Sequence, residues 1–244
     1  MVSNALNIWM TMPISHSISQ LLVLALLLGG CRPGQTPQRP TSGAVPVNTE
    51  PLQSGPDTAA ESLLVDVQSV DSTIRVDARY AGANNFTGAR LPGYDAPRAL
   101  LRREVAVALG RVQARLRTGG LGLLVLDGYR PVRATLAMVD WAKRTGQVNL
   151  LDDGYIARRS RHNQGVAVDL TLVDPSSGTE LDMGTPFDTF SEAAHTENAT
   201  GRPLRYRQIL VRVMESEGFT NYEKEWWHFS YSVPNALPFD KVIR

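Results

Sequence analysis

Two short motifs constrain this chain more than anything else in it. Residues 160–169 read Ser160-Arg161-His162-Asn163-Gln164-Gly165-Val166-Ala167-Val168-Asp169, and about sixty residues later comes Glu225-Trp226-Trp227-His228. Together they offer two imidazoles and a carboxylate as metal ligands (His162, His228 and Asp169), with a spare carboxylate, Glu225, beside the last of them. Catalytic zinc sites use three protein ligands of this kind, leave a fourth position for water, and need a base to deprotonate that water. Any fold that serves these motifs must bring distant segments to one cavity.

Cysteine usage narrows the chemistry further. The chain has 244 residues, one cysteine (Cys31) and four histidines, His16, His162, His195 and His228. No intrachain disulfide and no Cys-rich zinc site can form, so a metal must be held by His, Asp or Glu. The formal net charge of +1 gives no electrostatic case for nucleic acid. Nor is there a basic patch interleaved with aromatics of the kind that binds single strands.

Cys31 has its own context. It follows the apolar run Leu21–Gly30, too short for a comfortable transmembrane helix but suited to a signal-peptide core. Leu28-Gly29-Gly30-Cys31 resembles the bacterial lipobox, in which the cysteine is lipidated and becomes the mature N-terminus. Residues 1–20 contain no Lys or Arg, whereas such a signal normally begins with basic residues. The expected organisation is a lipoprotein signal peptide over 1–30, a lipidated Cys31 with a flexible tether over 31–61, and a folded domain over 62–244. The tether reading rests on six prolines among Gly, Ser, Thr and Gln in residues 32–60, a composition that cannot bury enough apolar area to offset its ordering entropy. The corresponding location is the cell envelope, lipid-anchored to a membrane, on the periplasmic face in a two-membrane bacterium. Arg32 is no acidic retention signal, which favours the outer membrane.

Within the domain, Ile74, Val76, Ala78 and Tyr80 alternate with polar residues, a half-buried strand signature. Leu101, Val105, Ala108, Val112 and Leu116 recur at helical spacing, and Thr118-Gly119-Gly120 ends that helix. Leu121 to Leu126 reads as a buried strand. Asp127-Gly128-Tyr129-Arg130-Pro131 then turns into a helix over about 132–145, with Pro131 suited to its first turn. Residues 147–164 look irregular. Val166 to Leu172 alternates as a strand bearing Asp169 near its end, residues 203–217 form a helix capped by Gly218, and Glu225 to Tyr231 reads as an aromatic strand. Helices and strands mix without regular βαβ alternation, so the fold class is α+β.

The spacing poses two geometric questions. His162 in its loop and Asp169 on the next strand share a cavity only if the chain bends at Gly165, which glycine permits. Glu225 lies three residues before His228, and an odd offset on a regular strand points to opposite faces. Either the strand is distorted at the two tryptophans or Glu225 enters from its start. Taken singly, a histidine is more often a structural hydrogen-bonder than a ligand, so the case rests on the residues acting together.

These residues resemble the D-alanyl-D-alanine dipeptidase family, the type known from glycopeptide resistance. The resemblance runs in order over about residues 62–235: Tyr80-Ala81 with Asn85-Phe86-Thr87-Gly88, then Asp127 to Pro131, Ser160 to Leu172, Glu180 to Asp188, and Glu225 to Phe229. The Asn-Phe-Thr-Gly and Trp-Trp parts are the more specific. The resemblance implies a zinc metallopeptidase of the Hedgehog/D-Ala-D-Ala-peptidase fold, with a central antiparallel sheet flanked by helices. It implies one Zn2+ per chain on His162, Asp169 and His228, Glu225 as general base, and Arg130 as transition-state stabiliser. Asp188 would contact the substrate's ammonium and Ser160 would hydrogen-bond near it; His195 receives no role. The activity so implied is hydrolysis of D-Ala-D-Ala and similar D,D-dipeptides, in wall turnover or dipeptide scavenging. Two other readings stay open: a D,D- or L,D-carboxypeptidase acting on peptidoglycan stems, and a non-catalytic zinc module that binds a wall ligand.

Overall fold

A computed structural model describes residues 54–244 of the chain. Cys31, the expected signal peptide and the expected tether up to residue 53 lie outside the described residues. The elements are α1 (Asp57–Leu63), β1 (Leu64–Asp66), α2 (Val67–Val70), β2 (Arg75–Val76), β3 (Leu100–Arg102), α3 (Arg103–Thr118), β4 (Gly122–Asp127), α4 (Val132–Arg144), α5 (Asn149–Asp152), β5 (Ala167–Val173), α6 (Gly201–Ser216), β6 (Phe219–Tyr222) and β7 (Glu225–Tyr231). The class is α+β. Helix α1 straddles the expected domain start at Ser62: Ala60 is buried, and Gly55 already bridges to Phe239 near the C-terminus.

The main sheet runs β2-β4-β5-β7-β6, and β1 pairs with β3 in a separate ribbon. The expected antiparallel sheet is mixed at one edge, because β2 lies parallel to β4 while β4–β5, β5–β7 and β7–β6 are antiparallel. A parallel neighbour needs a long crossover, and residues 77–121, which include β3 and α3, supply it.

Local sequence accounts for most elements. Helix α3 buries Val105, Ala108, Leu109, Val112 and Leu116 along one stripe and turns its arginines outward. Leu101 is not part of that stripe's helix; it lies in β3, because Arg102 is extended and its N–H donates to the Gly165 carbonyl. The alternation of Ile74 to Tyr80 gives only a two-residue strand. Past Asp77 the chain curls into a 3-10 turn at Arg79–Ala81, although Ala78 and Tyr80 are still buried. Alternation here reports which residues face inward, not how far the ladder runs. The stretch expected to be irregular holds α5 and a 3-10 turn at Arg161–Gln164. After α6, Gly218 (φ +90°) follows the C-cap Glu217 and turns the chain into β6.

One core lies between α3, α6 and one face of the sheet. It holds Val105, Leu109 and Val112 of α3, Leu210 and Met214 of α6, and Val168, Leu170 and Leu172 of β5. A second core gathers α1, α4 and the C-terminal segment around Tyr94, Met138 and Phe239. Strand β5 is buried along its whole length, so its two faces must both be covered. The face of Val168, Leu170 and Leu172 is covered by hydrocarbon throughout, whereas on the other Val173 packs with Leu124, Leu126 and Phe187 and Asp169 belongs to no apolar cluster.

Candidate metal centre and active site

The sheet register aligns the polar residues. Asp127 on β4 pairs with Asp169 on β5, and Asp169 pairs with His228 on β7. Directly paired residues on neighbouring strands project to the same face, so the three form one row across the sheet. Asp169 is the third residue of β5, near its start rather than near its end. Its neighbours Val168 and Leu170 point the other way, into the α3–α6 core.

His162 reaches this row from the 3-10 turn before β5. Ser160 caps the turn, its hydroxyl accepting the His162 N–H, while the Asn163 side chain accepts the Ser160 N–H. Gly165 then takes a left-handed conformation (φ +68°) that folds the chain back onto β5. A Cβ there would sit 2.5 Å from a Leu64 methyl, so glycine is required by packing as well as by φ. The bend anticipated from the spacing is therefore present.

The three ligand atoms converge. His228 Nδ1 lies 2.9 Å from Asp169 Oδ1, His162 Nε2 lies 3.3 Å from the same oxygen, and the two ring nitrogens are 3.1 Å apart. His162 Nδ1 faces the Gly128 carbonyl at 2.7 Å. A carbonyl only accepts, so Nδ1 carries the proton and Nε2 presents a lone pair to the cluster. With Asp169 ionised, His228 has the one proton that can bridge these atoms. A cation in that place satisfies all three donors, and the carbonyl behind His162 is the outer-shell partner such a ligand needs. The His-Asp-His group can hold a metal ion.

Electrostatics follow from burial. His162 and Asp169 are each 2% exposed. Burial alone would raise the Asp169 carboxyl, but the His162 and His228 imidazoles beside it hold it below the ordinary range. Burial pushes His228 down against the pull of Asp169, which favours the neutral imidazole that a metal takes. Burial, then the charges of Asp169 and Asp188, push Glu225 well above the carboxylate range, with Arg130 opposing.

Glu225 and His228 do lie on one side of their strand. Glu225 opens β7, where the β6–β7 register shifts between Asn221 and Tyr222. The Asn221 amide donates to the carbonyls of both Glu225 and His228, pinning the irregular stretch. Glu225 Oε2 comes to 3.9 Å from His228 Nδ1. Of the two tryptophans, Trp227 lines the cavity; Trp226 donates to Thr185 and packs under Arg207.

Arg130 leaves β4 just before α4 and turns back to the sheet. Its Nε and Nη2 are 2.9 and 2.8 Å from Asp127 Oδ2, and Nη2 is 3.6 Å from Asp169 Oδ2. Its guanidinium lies over the Tyr80 ring. Asp188 takes a left-handed backbone (φ +60°), a strained choice for a non-glycine residue. It accepts the Tyr80 hydroxyl at 3.0 Å, and burial, reinforced by Asp169, raises its carboxyl to about 8. Ser160, Arg130, Asp188, Glu225 and the three ligands all line one cavity of ≈ 260 Å³. His195 lies outside it, paired through Nε2 with the hydroxyl of Tyr155, which forms part of the wall. Sequence reasoning passed over Asp127 and Tyr94, which donates to it at 2.6 Å; an acid three residues before Arg130 at a strand end was the available signal.

A family model described as D-ala-D-ala dipeptidase matches residues 60–241. The chain belongs to the D-Ala-D-Ala dipeptidase family. Among its relatives is a D-alanyl-D-alanine dipeptidase of Enterococcus faecalis, 36% identical over 171 residues, which are 64% of this chain and 85% of the relative. Another, from Streptomyces coelicolor, is 35% identical over 179 residues, 67% of this chain and 89% of the relative. A solved vancomycin-resistance D,D-dipeptidase, in complex with a D-Ala-D-Ala phosphinate analogue, is 20% identical, with a TM-score of 0.39 over 71% of this chain and 68% of its own. The family is one of hydrolytic peptidases, and its match spans every residue of the cavity described above.

Proposed function

We propose that this protein is a zinc-dependent dipeptidase that hydrolyses D-Ala-D-Ala and close D,D-dipeptides, with one Zn2+ per chain. The observation that carries the reading is the in-register row of Asp169 and His228, completed by His162, in one cavity with Glu225, Arg130 and Asp188. Two imidazoles and a carboxylate suit zinc over harder ions. Zinc held there supplies Lewis acidity toward the scissile carbonyl and a water.

The chain's own groups do the rest. Glu225 takes the water's proton and returns it to the departing amine; its raised affinity for protons suits a shuttle that must hold one. Arg130, permanently charged and already fixed, binds the oxygen that becomes negative as the carbonyl is attacked. Asp188 meets the substrate's ammonium, and Ser160 offers its hydroxyl beside it. The ≈ 260 Å³ cavity accommodates a dipeptide, and the Asp188 carboxyl in its wall offers a partner to the free ammonium that a dipeptide has there and a stem peptide lacks. Phe86 and Phe190, edge to face at 5.0 Å, line the same cavity and add an apolar wall.

Amine release from D-Ala-D-Ala and from an acylated D-Ala-D-Ala peptide tests this, with Glu225→Ala as control. Cleavage of the free dipeptide alone, lost in the control, supports the reading. Cleavage of the acylated peptide assigns a carboxypeptidase, and zinc binding without cleavage assigns a binding module. The lipobox-like run further supports a lipid anchor on Cys31 and a place in the cell envelope, where wall turnover or dipeptide scavenging is the fitting role. Palmitate labelling of the full chain, lost in Cys31→Ser, is the expected result.

A further inference from the structure

Asp127 is 1% exposed at the end of β4, and its carboxylate serves three neighbours. Tyr94 donates to Oδ1 at 2.6 Å, Arg130 donates to Oδ2 through Nε and Nη2, and His162 Nδ1 lies 3.4 Å from Oδ2. The backbone of the turn is held independently. Arg130 N–H donates to the His162 carbonyl, and the Asn163 amide donates to the Arg130 carbonyl. A Cβ at Gly128 would meet the Leu100 carbonyl at 2.6 Å, so the chain passes close to β3 there. The Arg130 side chain, by contrast, is tied by charge chiefly to Asp127. The next carboxylate within reach is Asp169, at 3.6 Å, whose other oxygen faces the two histidines.

We propose that Asp127 is the positioning residue of the site: it holds the Arg130 fork in place and keeps it off the metal-ligating carboxylate of Asp169. The inference rests on the dipeptidase reading for its kinetic arm only. Without the Asp127 charge, Arg130 is a buried cation whose nearest remaining carboxylate is Asp169. Closing that 3.6 Å gap takes the fork away from the reacting carbonyl and competes with the metal for its ligand.

The test is a double-mutant cycle on the full chain, with zinc titration of the metal-stripped proteins alongside. Asp127→Asn is expected to lower kcat roughly 10–100-fold with little change in KM, the usual size of an outer-shell loss. In an Arg130→Gln background the same substitution is expected to cost no more than about twofold, because independent effects add and dependent ones do not. Equal losses in both backgrounds overturn the proposal, since a merely structural role acts whether or not the arginine is there. Zinc affinity of Asp127→Asn is expected to fall about tenfold, but not in the Arg130→Gln background; an unchanged affinity, or an equal fall in both backgrounds through the 3.4 Å contact of Asp127 with His162, overturns the claim that Asp127 shields Asp169. If Asp127→Asn fails to fold, Tyr94→Phe removes one hydrogen bond from the same carboxylate and should give a smaller kcat loss that also vanishes with Arg130→Gln. Should the wild type not cleave D-Ala-D-Ala at all, the dipeptidase reading fails, and the zinc titration still decides the role of Asp127.

Discussion

The two faces of β5 make the most instructive comparison in the molecule. Val168, Leu170 and Leu172 enter the core against α3 and α6, while the alternate residue Asp169 faces the catalytic cavity. Both faces are buried, so the difference is not solvent. One face is held by hydrocarbon contact, which is non-directional and tolerates repacking. On the other face Asp169 is held by charge and hydrogen bonds whose geometry must be right, because an unpaired buried charge is very costly, while Val173 at the far end packs with Leu124, Leu126 and Phe187. The strand thus places the candidate metal-binding row on a platform whose rigidity comes from behind it.

If that division is real, substitutions on the two faces should fail differently. The largest effect belongs to Glu225→Gln, expected to cut kcat by about 10²–10⁴-fold. Zinc content, by metal analysis, and thermal stability should barely change. Leu170→Ala, on the opposite face of the same sheet, should destabilise by about 2–5 kcal/mol in denaturant unfolding. Its kcat, measured well below the melting temperature, should stay near wild type. Large kcat losses in Leu170→Ala under those conditions would break the comparison.

Asp188→Asn sharpens it. If Asp188 meets the substrate's ammonium as proposed, the variant removes that charge-assisted contact and KM should rise roughly tenfold or more, with a smaller change in kcat. Equal KM values for wild type and variant would remove Asp188 from substrate binding.

A last prediction concerns pH and the metal-free protein. In the folded state burial raises Asp188 to about 8, whereas an unfolded aspartate ionises near ~3.9. Between these values the folded state binds more protons, so stability is fully present below about pH 4 and declines as pH rises toward about 8. Glu225, also raised by burial, acts in the same direction, while His228, lowered by burial, opposes both until pH passes its unfolded value of ~6.5. Above about pH 6.5 melting temperatures should therefore fall in the apo protein, less so in Asp188→Asn, and less again with zinc, which favours ionised carboxylates. A flat apo profile in that upper range would contradict the burial of Asp188 and Glu225.

Much of this was legible in sequence, for identifiable reasons. The ligands sit in tight local patterns, and the three largest helices and strands β4, β5 and β7 follow from apolar periodicity and cap residues. Gly165 was readable as a bend because few residues but glycine take its φ. What escaped depended on partners far along the chain. Strand β2 is parallel because of where β4 lies, β3 interrupts an apparently helical stripe because β1 pairs with it, and β6 exists as a ladder only beside β7. The placement of Glu225 beside His228 needed a register shift at Asn221/Tyr222 that no period reveals. Asp127 stood within a quoted motif, yet its hold on Arg130 is visible only once the turn at Gly128 folds the arginine back over the sheet.

The most direct test of the central claim is zinc K-edge X-ray absorption on the zinc-loaded full chain. The account predicts a first shell with two imidazole nitrogens and one carboxylate oxygen at about 2.0–2.2 Å, losing one imidazole in His162→Ala and one in His228→Ala. A shell without histidine, or one unaltered by either substitution, would contradict it.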